Sequence, residues 1–219
     1  FYKIYSYKPD ILAYSTTTGQ HKEYIQINDS LRNRIEATTV FGGAHPTYFP
    51  EISLNPNIDF IIRGEGEKSF PALLQKFQSK YAFMGEKIIE PYPLIEDLDS
   101  IEFPDREFLY TYDVNRNNPI KNVITSRGCP YDCPYCFNSL YRDMYKGQKW
   151  LRYRSPENVI QECLELKEDY PLSLIFFQDD EFLLNPKLEI FLRLYRKRIG
   201  IPFHIQLRVE RATEDRIKL

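Results

Sequence analysis

The stretch TSRGCPYDCPYCFN, Thr125 to Asn138, holds three of the chain's four cysteines at the spacing C-x3-C-x2-C. Thiolates gathered in this way in a reducing compartment usually hold metal. A structural zinc site wants four closed ligands, commonly two C-x2-C pairs. Only Cys163 is left over, and it falls on the apolar face of a predicted helix, where a small buried side chain is the plain reading. His45 and His204 stand without local ligand spacing. Three cysteines from one tight loop instead suit a cubane iron–sulfur cluster, in which each Cys holds one iron and a fourth iron stays open. An open metal position is what catalysis needs. Gly128 frees the backbone just before the first ligand, and Pro130 and Pro134 stiffen the turns after the first two. A closed zinc or disulfide knot is the alternative that leaves the loop purely structural.

Outward from the loop, strand and helix alternate. Asn122–Ser126 is a predicted strand leading into it. SPENVIQECLELKEDY predicts a helix with Ser155 as N-cap and Pro156 at the first position, its apolar face formed by Val159, Ile160, Cys163, Leu164 and Leu166. LSLIFFQDDEF reads as a strand ending in acids, PKLEIFLRLYRKR as an amphipathic helix, and Pro202–Glu210 as a third strand. Upstream, Asp10–Gly19 reads as a strand running into a loop, followed by a helix through Ile25, Ile27, Leu31 and Ile35. Ala37–Thr47 is a second strand that breaks at Gly42-Gly43, and Ile58–Ile62 a third, followed by a Gly-Glu-Gly-Glu turn and a helix through Leu73, Leu74 and Phe77. Such alternation argues for parallel α/β sheets. Their ligands bind at the carboxyl ends of strands, where STTTG, GGAHPT and GEGE all fall. Between the two regions, Glu90–Leu109 carries Pro91, Pro93, Pro104 and scattered acids with no period, and reads as a linker packed on its neighbours.

Bulk composition excludes several classes. With 42% hydrophobic and 27% charged residues the chain reads as globular rather than disordered. A net charge of -2 gives no reason to expect a nucleic-acid or membrane surface. No apolar run approaches the roughly 20 residues of a membrane span, and no signal peptide opens the chain. Cysteine usage fits the cytosol rather than a secreted disulfide framework. The chain opens FYKIYSYKPD without Met and ends RATEDRIKL, where Thr213 would cap a helix that has barely begun. The expectation is a fragment cut at both ends, inactive alone.

The loop RGCPYDCPYCFN resembles the cluster loop of the radical S-adenosylmethionine (SAM) superfamily, whose signature C-x3-C-x-aromatic-C reads here as Cys129, Cys133, Tyr135 and Cys136. The resemblance implies a [4Fe-4S] cluster on the three cysteines and SAM on its open iron, cleaved to a 5′-deoxyadenosyl radical. It also implies an external one-electron donor such as flavodoxin or ferredoxin. It places the adenine near Tyr135 and Phe137. It implies SAM contacts at Gln178, Asp179 and Asp180, which end the second strand, and at Arg208 on the third. Here QDDEF replaces the glycine-rich form common elsewhere and is similar to that of a cobalamin-dependent subgroup. The acids also suit helix capping, and Arg208 also suits an ion pair with Glu210 or Glu181.

The first region, PDILAYSTTT…VFGGAHPTYFPE…IDFIIRGEGE, resembles the cobalamin-binding domain of that subgroup. The implied contacts are Ser15, Thr17, Gly42, Gly43, His45, Gly64, Glu65 and Gly66, with His45 as part of a loop rather than a cobalt ligand. IEFPDREF (Ile101–Phe108) is similar to the connector before the radical domain. The fold class expected is therefore α/β: a partial Rossmann-like cobalamin-binding domain over 1–89, a linker over 90–118, and the first half of a partial (β/α) radical SAM barrel over 119–219. The chemistry implied is cobalamin-dependent methyl transfer to an unactivated carbon or phosphorus in the cytoplasm. A cyclase of the anaerobic tetrapyrrole type, and a non-catalytic metal-stabilised module, stand as alternatives.

Overall fold

The computed structural model describes residues 2–78 and 86–218, and the chain divides into two units, Phe1–Pro93 and Leu94–Leu219. The first runs α1 (Tyr2–Tyr7), β1 (Ile11–Ser15), α2 (His21–Arg32), β2 (Thr38–Gly42), α3 (Ala44–Tyr48), β3 (Phe60–Ile62), α4 (Gly66–Gln78) and β4 (Ile88–Ile89). The strands form one parallel sheet in the order β1-β2-β3-β4. Side chains alternate along a strand, so neighbouring residues feed opposite faces. Phe41 and Ile61 pack with Tyr24 and Ile25 of α2. Val40 and Ile62, one position away, pack with Phe70, Leu73 and Phe77 of α4. Both faces are covered, as parallel sheets require. One detail of α2 departs from the periodicity: Asn28 turns inward while Ile27 is exposed. Asn28 Nδ2 donates to the Asn57 carbonyl at 2.8 Å, while its Oδ1 is buried with no hydrogen-bond partner among the described residues.

The second unit opens with a tethered stretch. The Leu94 N–H donates to Gln148 Oε1 at 2.7 Å, and the Ile95 carbonyl accepts from Arg152 Nη1 at 2.7 Å. Two short helices follow, α5 (Arg106–Leu109) and α6 (Asp113–Arg116). Buried Lys121 donates to the carbonyls of Asn115 and Arg116 at the end of α6, each at 2.9 Å, with Tyr110 beneath its ammonium. Next come β5 (Ile120–Val123), β6 (Ser126–Arg127), α7 (Phe137–Met144), β7 (Arg152–Tyr153), α8 (Pro156–Asp169), β8 (Leu174–Phe177), α9 (Leu188–Arg198), β9 (Phe203–His204) and α10 (Glu214–Ile217).

Strands β5, β8 and β9 are parallel neighbours. Val123, Ile175 and Phe177 pack against Val159, Ile160, Cys163 and Leu166 of α8 and Phe191 and Tyr195 of α9. Helices thus cover one face, while Asn122, Phe176, Gln178 and His204 alternate onto the other. This is the arrangement of successive β/α units in a barrel, helices outside. Ser155 caps α8 as its sequence predicts, accepting from the Asn158 N–H at 3.1 Å. Thr213 precedes α10, but its side chain makes no capping bond. The third strand is shorter than Pro202–Glu210: only Phe203–His204 pairs with β8, and the chain turns at Val209–Arg211. Glu162 of α8 joins Arg106 and Arg154, both at 2.5 Å, and these arginines also donate to the carbonyls of Asn122 and Ile124. Among the described residues no helix is long and apolar enough to cross a membrane.

Candidate functional site

β5 runs at its carboxyl end into β6, which pairs antiparallel with β7 and closes a clasp around the cysteine loop. Gly128 enters the loop at φ 93°, and a Cβ there would stand 2.5 Å from the Trp150 carbonyl oxygen. Only glycine meets both demands. Trp150 Nε1 donates to the Cys129 carbonyl at 3.0 Å, and the Cys136 N–H to the Cys133 carbonyl at 3.0 Å. Cys136 stands at the N-terminal boundary of α7 without a side-chain capping bond, and the Ser139 hydroxyl donates back to its carbonyl. All three cysteines are half-buried free thiols. Burial pushes the Cys129 thiol up, and Asp180, Cys136 and Cys133 add to that shift. Among the described residues no three His, Cys, Asp or Glu side chains group around one ion position. A cubane asks for something else: each thiolate takes a separate iron. Three thiols from one loop, within electrostatic reach of one another, fit that demand. Cys163 is fully buried with its thiol pushed up to about 12 by burial, a core residue as its helix position predicts.

The acids at the end of β8 divide into two roles. Asp179 is 1% exposed, and its carboxylate accepts from Thr125 N at 3.0 Å, Thr125 Oγ1 at 3.0 Å and Ser126 Oγ at 2.5 Å. Where the resemblance implied a SAM contact, the Asp179 carboxylate here locks the end of β8 to the entry of the cysteine loop. Asp180, one residue on, is exposed and accepts from Asn138 Nδ2 at 3.1 Å, on the side where it acts on the Cys129 thiol. Gln178 donates to Asn122 Oδ1 at 2.9 Å on the uncovered sheet face. Glu181, which the sequence offered only as an ion-pair partner, is 4% exposed. Its Oε2 accepts the Arg208 backbone N–H at 3.0 Å, and its Oε1 is buried with no hydrogen-bond partner among the described residues. The Arg208 guanidinium pairs with Glu210 at 2.9 Å, the alternative left open by the sequence, and also reaches the loop, with Nη1 3.9 Å from Cys133 Sγ. Tyr135 projects into solvent, and Phe137 is the exposed first residue of α7.

In the first unit, the predicted residues gather at the carboxyl ends of β1, β2 and β3. The Thr16 N–H donates to the Gly42 carbonyl at 2.8 Å, and the His45 N–H to the Thr16 carbonyl at 2.9 Å. At Gly43, φ 91°, a Cβ would stand 2.8 Å from Thr16 N and 3.0 Å from Ser15 Oγ, so the β1 and β2 loops touch only through glycine. At Gly42 a Cβ would meet only ordinary contacts, and at Gly66 open space. Ser15 and Thr17 are exposed, with Thr17 Oγ1 bonded to Gln20. Thr47, unmarked in the sequence reading, joins the edge: its hydroxyl donates to the Gly43 carbonyl at 2.7 Å and accepts the Gly64 N–H at 3.0 Å. Glu65 leads into α4, its carbonyl accepting from the Ser69 hydroxyl at 2.9 Å. His45 stacks on His21 with ring centroids 3.6 Å apart and bonds Thr18 Oγ1 at 3.2 Å. Burial first, then His21, holds its pKa below 6.5.

Residues 123–219 match the model of the Radical SAM superfamily, and residues 2–74 that of the B12 binding domain. The chain belongs to the radical SAM superfamily, in the branch that carries a B12-binding domain. It is 32% identical, over 96% of its length, to an uncharacterized methyltransferase of Pyrococcus horikoshii, of which it covers 49%. It is 31% identical, over 80% of its length, to an anaerobic magnesium-protoporphyrin IX monomethyl ester cyclase of Synechocystis, covering 37% of that protein. A cytidylyl-2-hydroxyethylphosphonate methyltransferase of Streptomyces wedmorensis is 26% identical over 89% of the chain, with 44% of that protein covered. The radical SAM chain thus spans about half the length of these relatives or less.

Proposed function

We propose that this radical SAM protein cleaves SAM on a [4Fe-4S] cluster held by Cys129, Cys133 and Cys136, and methylates an unactivated carbon or phosphorus with cobalamin held by its first unit. One observation carries the reading. The three thiols open at the carboxyl end of β5 beside Asp180, and at the neighbouring strand end Glu181 Oε1 is buried with no hydrogen-bond partner among the described residues. A buried carboxylate oxygen without a donor is a place for a cation, and the SAM ammonium is one. When bound, the cluster and cosubstrate supply a one-electron cleavage that yields methionine and a 5′-deoxyadenosyl radical, which abstracts a substrate hydrogen.

The chain's own residues do the rest. Asp180 and Glu181 accept from the ammonium, Asp179 keeps their strand in register with the loop, and Tyr135 and Phe137 offer faces for the adenine. Ser15, Thr17, Gly42, Gly43, His45, Gly64, Glu65 and Gly66 form the edge for cobalamin, with Gly42 and Gly66 leaving room for close backbone approach. The electron comes from an external donor of the flavodoxin or ferredoxin class in the cytoplasm. Two of the named relatives are methyltransferases, which supports methylation. A second reading, cyclisation or rearrangement of the anaerobic tetrapyrrole type, is supported by the cyclase relative, which matches 80% of the chain.

Anaerobic reconstitution tests the reading. It should give about four irons per chain and a cubane paramagnetic resonance signal that SAM alters. Stoichiometric zinc without that signal overturns it. SAM labelled in its methyl group, given to the whole protein, separates the two chemistries: label in the product supports transfer, and an unlabelled cyclised product supports the second reading.

A further inference from the structure

Tyr131 lies between the first two cysteines, and two arginines from beyond β9 grip it. Arg211 Nε donates to its hydroxyl at 2.7 Å. Arg208 lies over its ring, 4.2 Å from the centroid, and from there places Nη1 3.9 Å from Cys133 Sγ. Arg208 is fixed from the other side as well, by Glu210 on Nη2 and by Glu181 on its backbone N–H. Two contacts hold the guanidinium itself, the Tyr131 ring and Glu210, and so held it reaches one sulfur.

We propose that Arg208, oriented by Tyr131 and Arg211, is an outer-sphere donor to the Cys133 thiolate and raises the reduction potential of the cluster this cysteine ligates. The inference rests on the cluster reading above and adds a residue that tunes it. One electron from an external reductant takes a [4Fe-4S] centre from the 2+ to the 1+ state, with no proton exchanged. The added negative charge is stabilised by a fixed cation and by a hydrogen bond to ligand sulfur. Arginine suits the position because it keeps its charge at any working pH and stacks on an aromatic face. Tyr131 supplies that face. Its hydroxyl anchors Arg211, whose charge also lies near Glu181, so two cations can share one ring.

The test is a mediated redox titration of the anaerobically reconstituted protein without SAM, using dithionite and following the 1+ signal. Arg208→Gln should shift the reduction equilibrium at least tenfold toward the oxidised form, about 59 mV for one electron. Arg208→Lys, which keeps the charge, should recover part of that shift. Tyr131→Phe, which keeps the ring but frees Arg211, should give a smaller shift in the same direction. SAM affinity is measured in parallel on the oxidised protein, and iron content shows that each variant is loaded. An unmoved midpoint in loaded Arg208→Gln, with weakened SAM binding, overturns the proposal and makes Arg208 a carboxylate contact. Failure of the unaltered protein to take up a cluster overturns the reading beneath and this proposal with it.

Discussion

Asp179→Ala should destabilise the second unit by about 4 kcal/mol. The carboxylate is buried and receives Thr125 N, Thr125 Oγ1 and Ser126 Oγ. Truncation leaves these buried donors without an acceptor, at roughly 1–3 kcal/mol for each that finds no substitute. Partial rearrangement of the two hydroxyls keeps the total near 4 rather than 9 kcal/mol, about the largest loss single substitutions show. The sole tryptophan, Trp150, sits in the clasp beside the loop, so its emission reports this unit during urea unfolding. With a urea slope of about 2 kcal/mol/M, the midpoint should fall by about 2 M. Asp179→Asn, which keeps one acceptor, should lose about half as much. A midpoint shift under about 0.25 M for the alanine variant, the size of an ordinary surface change, would refute the anchoring role. Protonation adds a second signature. Burial pushes the carboxyl above its ordinary 3.8, outweighing the bonds from Thr125 and Ser126 that pull it down. A carboxyl raised in this way binds its proton more readily when folded. Its contribution to stability therefore grows as pH falls through the folded pKa and levels off below 3.8. That increment should be absent from Asp179→Asn.

Gly128→Ala forces a side chain into a positive φ and against the Trp150 carbonyl; a loss of about 3 kcal/mol is expected, with red-shifted Trp150 emission and reduced iron uptake. Glu162→Gln removes the charge shared by Arg106 and Arg154, which should cost about 3–5 kcal/mol in the same urea assay; a loss below about 1 kcal/mol would mean the triad is solvated. His45 should titrate below 6.5 when its ring protons are followed by nuclear magnetic resonance, because burial and then His21 disfavour its cation, against the opposing pull of Glu51. Since the folded state binds this proton less readily than the unfolded one, its contribution is intact above pH 6.5. It should decline as pH falls from there toward the folded pKa, and His45→Asn should flatten the profile.

The alternation of strand and helix was legible because it rests on periodicity and end signals that neighbouring residues carry. Ser155, Pro156 and the apolar face of α8 are local, and the structure reproduces them. The β6–β7 clasp was not legible. Its strands are two residues each, stretches too short to show a period, and they pair across the whole cysteine loop. Asn28 defeated the helix pattern because its amide finds the Asn57 carbonyl, a partner far along the chain.

Sequence alone was enough to recognise the loop as that of the radical SAM family. Three thiols at that spacing, with Gly128 before them and prolines after, are set by bonded neighbours and need no tertiary contact to be recognised. What only the fold decided is which acid does what. Asp179 and Asp180 are adjacent and alike in the sequence, but both follow the end of β8, where the chain turns and only Asp179 meets Thr125 and Ser126. One is therefore buried as the anchor of the loop entry, and the other stands on the thiol side. The same holds for Arg208, whose direction toward Cys133 comes from a tyrosine between the cysteines and an arginine three residues on.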